Sequence, residues 1–196
     1  MGKVKSLIDY YFIIKPHPEM NVSGDTCIIL NNKEGLFFSL IDIAGHGKRA
    51  YEQAEFCKDF ITKNYDDNII ELIEQIHLKA KNHFELVGFF MKLIKHEKRI
   101  NYINIGNIKV KIFNNNKIHL NNTEGIIGYI LPKLTLNEFN FTDHKILIAC
   151  TDGIHSFFEF NPVIFNNNYS SKDICNYVIN KYYKNTDDAA CLAIKI

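Results

Sequence analysis

Arginine is nearly missing from this chain. Of its 23 basic residues only Arg49 and Arg99 are arginines, so bidentate guanidinium clamps on phosphate are scarce and any bound phosphate must be held in another way. Charge excess is missing too. The net charge of +1 excludes the basic field of a nucleic-acid binder and an acidic tail. No apolar run approaches the roughly 18 residues of a membrane span. No CxxC pair occurs among the five cysteines (Cys27, Cys57, Cys150, Cys175, Cys191), most of which sit in apolar runs. Their odd number, with no secretory signal, predicts buried reduced thiols and a cytoplasmic setting. The opening MGKVKS fits only a loose myristoylation pattern, and sequons such as Asn21-Val22-Ser23 and Asn140-Phe141-Thr142 read as chance in an asparagine-rich chain. Repeats, long linkers and the G-x-x-x-x-G-K-[ST] loop are absent as well.

What is present is a chain of 196 residues, 46% hydrophobic and 23% charged, which predicts one globular domain over 1–196. Residues 10–14, 26–31 and 35–42 are β-branched and aromatic runs, with 31–34 as a hairpin turn. Apolar spacing predicts a helix over 48–63 and a second one presenting Ile69, Leu72, Ile73, Ile76 and Ala80, capped by Asp66 or Asp67. Strand candidates return at 86–95, 99–105, 108–113, 117–120, 134–141 and 145–151, with an asparagine turn at 114–116 and another at 166–168. A last helix over 171–183 and a buried strand over 189–196 end the chain. Strands in consecutive blocks predict an α+β fold with antiparallel sheets.

The stretch SLIDIAGHGKRA (39–50) poses the functional question. Gly45-His46-Gly47-Lys48-Arg49-Ala50 matches the G-x-G-x-x-A dinucleotide fingerprint. Yet a second helix follows where a parallel strand should, and Asp42 would oppose a pyrophosphate. The other reading is that Asp42 faces a cation. Asp25 starts the strand that pairs with the one ending at Asp42. Asp152 follows KILIACT, and Asp187-Asp188 precedes the terminal strand. Acids at four strand ends, without Cys or His partners, suit magnesium or manganese. Asp also favours turns and caps, so the pattern alone leaves both readings open.

SGD (23–25), DIAGHG (42–47), GNI (106–108), EGIIG (124–128), TDG (151–153) and DDAACLAIKI (187–196) run in the order found in the PPM or type 2C metal-dependent serine/threonine phosphatases. The chain resembles their SpoIIE-like branch, most of all the stand-alone RsbX-type enzymes. The resemblance implies an αββα sandwich of two antiparallel sheets flanked by helices, with two divalent cations, manganese or magnesium, at one end. It implies that Asp42 bridges both ions, that the Ile43 carbonyl and (through water) Asp25 serve the first, and that Asp152 and Asp187 serve the second, with Asp188 behind. Gly45 and Gly47 allow the tight turn.

The implied chemistry is attack of an activated water on phosphoserine or phosphothreonine, with Asp42 and His46 at the reacting centre. His46 would donate a proton to the leaving oxygen or orient a water; packing in the turn is its plainer role. Lys48 and Arg49 would steer substrate, or lie on a solvated face. Lys15 and His17 are weaker candidates. The implied partner is a phosphorylated protein, a STAS-domain regulator of a stress-response partner-switching pathway, with neither nucleic acid nor membrane involved. Two departures stand out: Ala189-Ala190 lacks the usual hydroxyl, and Gly88-Phe89-Phe90 lacks the usual polar neighbour. The alternative is a catalytically inactive phosphoprotein-binding regulator of the same fold.

Overall fold

The computed structural model describes residues 8–31, 35–113, 117–141, 145–155 and 168–196. The turns expected at 31–34, 114–116 and 166–168, the amino-terminal motif and the 140–142 sequon lie wholly or partly outside them. Among the described residues the chain runs β1 (Asp9–Lys15), β2 (Asp25–Asn31), β3 (Gly35–Ile43), α1 (Gly47–Asn64), α2 (Ile69–Ala80), β4 (Leu86–Ile94), β5 (Arg99–Ile105), β6 (Lys109–Phe113), β7 (Lys117–His119), β8 (Asn137–Asn140), β9 (Ile146–Cys150), α3 (Ser171–Tyr182) and β10 (Ala189–Lys195).

Two five-stranded sheets result, ordered β1-β10-β9-β6-β7 and β2-β3-β4-β5-β8. Every ladder between these strands is antiparallel. A dinucleotide-binding fold is therefore excluded, because α1 runs into α2 and then into an antiparallel strand instead of closing a parallel βαβ unit.

Three buried clusters separate four layers. Phe38, Leu40, Phe89 and Met91 of one sheet meet Val110, Leu147, Ala149 and Leu192 of the other. On the opposite face of the second sheet, Phe37, Ile41 and Phe90 pack on Ala54, Cys57 and Ile61 of α1 and Leu72, Ile73 and Ile76 of α2. Ile148, Cys191 and Ala193 pack on Ile174, Cys175 and Val178 of α3. Central strands are thus covered on both faces, which is why β3, β4, β9 and β10 read as nearly continuous apolar runs instead of alternating ones. This is the expected αββα sandwich. All five cysteines are buried and unpaired.

Three details differ from the expectations. The cap of α2 is Asn68, whose side chain accepts from the Glu71 N–H at 3.2 Å. Asp67 stands instead in the left-handed region (φ 78°), and its carboxylate lies 3.4 Å from the buried Lys92 ammonium. Of the run 134–141 only Asn137–Asn140 pairs as an edge strand. The last helix has a complete capping box: Ser170 accepts from the Asp173 N–H, and Asp173 accepts from the Ser170 N–H.

Candidate metal centre

Strand register brings the first two acids together. Asp25 and Asp42 are direct cross-strand partners on β2 and β3. Opposed like charges destabilise a ladder, so this pairing persists only if a proton or a cation offsets it. From the other sheet, Asp152 follows β9 and Asp187 precedes β10, which are adjacent strands. Asp42, Asp152 and Asp187, with Gly45, His46 and Asn107, line one cleft of about 260 Å³. Asp25 lies beneath it, 4% exposed.

The field within the cleft is strongly negative. Burial, and then the charges of Asp152, Asp187 and Asp188, push the Asp42 carboxyl from an ordinary 3.8 up to about 7. Asp25 is pushed well above its ordinary value by burial and by Asp42, against the lowering effect of its hydrogen bond from Thr151. Lys109 is held below its usual range by burial and by Lys184, with Asp152 acting in the opposite sense.

Hydrogen bonds fix the acids from behind. The Thr151 hydroxyl donates to Asp25 Oδ2 and accepts from the Ala190 N–H, both at 2.8 Å, tying the two sheets together under the cleft. Asn107 Nδ2 donates to Asp152 Oδ2 at 2.9 Å. The Asp188 carboxylate accepts from the backbone N–H groups of His17 and Gly24, each at 2.7 Å. Both its oxygens are therefore engaged in holding loops, while Asp187, which lines the cleft, takes the Asp188 N–H on Oδ1. Gly153 abuts this segment so closely that a Cβ would stand 1.9 Å from the Asp188 carbonyl oxygen. Ile43 ends β3 with its side chain wholly buried against the helices, so only its backbone is available to the cleft.

The turn after β3 carries Gly45 and Gly47 at φ 96° and 78°, a conformation that side chains rarely adopt. His46 between them is the extended N-cap of α1. Its side chain makes no capping bond and instead stacks on His17, with ring centroids 5.0 Å apart and planes at 15°. Arg49 lines an adjoining cleft, whereas Lys48 lines neither and pairs with Glu52 at 3.7 Å. Lys15 lies over the Tyr183 ring. Thr151 and Asn107 were visible only as letters within TDG and GNI; a role for either needs the second sheet in place. Glu85, also in the cleft, carries no sequence signal.

Among the described residues no three acids, histidines or cysteines cluster tightly enough to cage an ion by themselves. A spread, all-oxygen donor set suits a hard cation that keeps several waters and takes only one or two carboxylates directly, as magnesium does. The residues present therefore fit hydrated divalent ions.

No protein-family model matches the sequence, and no curated protein matches it. Solved structures do. A chain of the bacterial stressosome, described as a modular system adapted to control secondary messenger signaling, superposes with a TM-score of 0.89 at 19% identity, covering 97% of this chain and all of that one. RsbX in complex with magnesium follows with a TM-score of 0.83 at 16% identity, covering 95% of this chain and 94% of that one. The chain has the PP2C phosphatase fold. A serine/threonine phosphatase of S. agalactiae shares this fold with a TM-score of 0.77 at 11% identity, covering 97% of this chain and 100% of that one. The carboxylate cleft lies at the end of the PP2C-type sandwich where β2, β3, β9 and β10 meet.

Proposed function

We propose that this chain, as one domain over 1–196, is a metal-dependent phosphoprotein phosphatase that hydrolyses phosphoserine or phosphothreonine in the cytoplasm. One observation carries the reading: Asp25 and Asp42 face each other across a ladder, and Asp152 and Asp187 complete the acidic surround from the sheet that holds β9 and β10. No lysine or arginine is among the described residues that line the cleft, and divalent cations fit such charge.

Asp42, Asp25, the Ile43 carbonyl, Asp152 and Asp187 would hold two ions, magnesium or manganese. When bound, these supply an activated water and offset phosphoryl charge. Thr151 keeps Asp25 oriented and Asn107 keeps Asp152 oriented. His46, which lines the cleft and stacks on His17, would give the leaving serine or threonine oxygen its proton. Gly45 and Gly47 shape that wall.

The likeness to a stressosome chain and to RsbX supports a phosphorylated STAS-domain regulator in a partner-switching stress pathway as the substrate. The test is turnover of a phosphoserine peptide, a phosphorylated STAS domain and p-nitrophenyl phosphate with manganese. Hydrolysis that is abolished by chelation and by Asp152→Asn is expected. Binding of the phosphoprotein without any turnover would favour the inactive regulator.

A further inference from the structure

The acidic cleft does not end at His46. A second depression, of about 380 Å³, continues from it and shares Ala44, Gly45, His46 and Glu85 as a common wall. Beyond that wall lie Arg49 and Gln53 of α1 and His83 of the α2–β4 connection. The two halves differ in chemistry: Asp42, Asp152 and Asp187 line the first, while past the shared Glu85 the second presents a guanidinium, an amide and an imidazole. Arg49 and Gln53 are four residues apart on α1 and so share a helix face.

Arg49 is held open. The other arginine is taken up by Glu97 at 2.6 Å and Glu138 at 3.8 Å. Among the described residues the Arg49, Gln53 and His83 side chains have neither hydrogen-bond nor ion-pair partner. An open guanidinium presents a rigid fork of donors that matches a carboxylate. It lines only the second depression, so it is set to one side of the carboxylate cleft and the phosphoryl group it would take.

We propose that this depression is a specificity subsite for an acidic side chain flanking the phosphorylated serine or threonine, anchored by Arg49 with Gln53 and His83 as further donors. The inference rests on the phosphatase reading and deepens it by naming a substrate class: phosphosites with an adjacent Asp or Glu.

The test compares manganese-dependent turnover of phosphoserine peptides that differ only in flanking Glu, Ala or Lys. The Glu peptide is expected to show a KM about tenfold below the Ala peptide, the size of one charge-assisted hydrogen bond, at similar kcat. Arg49→Glu is expected to invert the order, so that the Lys peptide becomes the better substrate. His83→Ala and Gln53→Ala are expected to shrink the preference several-fold while leaving p-nitrophenyl phosphate hydrolysis as in the wild type. Equal KM values for the three peptides, or an unchanged order in a folded Arg49→Glu protein, overturn the subsite and leave the phosphatase reading standing. Absence of turnover of every substrate, p-nitrophenyl phosphate included, overturns both.

Discussion

Thr151 illustrates how single residues hold the centre. Its hydroxyl serves a buried carboxylate and a buried backbone N–H at once. Thr151→Val keeps the shape but strands both groups, so a loss of about 1–3 kcal/mol in urea unfolding is expected, with Thr151→Ser close to wild type. The Ala190 N–H is thus satisfied from the residue that follows β9. His17 acts at the same scale. Its ring braces His46, so His17→Ala is expected to lower kcat about three- to tenfold at nearly constant KM, with His17→Phe restoring the stack and most of the rate. A KM change alone would assign His17 to substrate binding instead.

At the scale of elements, the two sheets meet through strand ends. The segment 187–188 enters β10 against Gly153, where no Cβ fits. Gly153→Ala is expected to push Asp187 away from Asp152, costing stability by thermal melting and weakening manganese binding together. Most elements were legible from local pattern: α1 and α2 from apolar spacing, β2 and β3 from β-branched runs, the terminal strand from its buried letters. What escaped was decided by context. Asn68, not Asp66 or Asp67, is the cap, and Asp67 pairs instead with Lys92 on β4, a partner distant in sequence. The edge strand β8 was shorter than its sequence run because pairing with Arg99–Tyr102 of β5, not propensity, set its length. The acids were legible as candidates, and so was the hairpin that pairs the Asp25 strand with the Asp42 strand; the approach of Asp152 and Asp187 from the other sheet and the Thr151 and Asn107 supports required knowing which strands are neighbours.

For the whole molecule the concentrated negative charge makes stability depend on pH. Between its ordinary 3.8 and about 7, Asp42 holds in the folded protein a proton that the unfolded chain has released. Folding is then proton-coupled: in the metal-free protein the Asp42 contribution is full below about pH 4, falls as pH rises, and is gone above about 7. The melting temperature of chelated protein is therefore expected to lose this contribution as pH rises from 5 to 8. Added manganese should reverse the trend, since cations and protons compete for the same oxygens. A metal-free profile in which stability climbs steadily to pH 8 would contradict the crowding of these acids.

Calorimetric titration of the chelated protein with manganese at pH 8 tests most directly whether carboxylates from two sheets form one site for divalent cations. Two equivalents should bind, weaken as pH drops below about 7, and be lost together in Asp42→Asn. No saturable binding by the folded protein, or undiminished binding by Asp42→Asn, would contradict such a site.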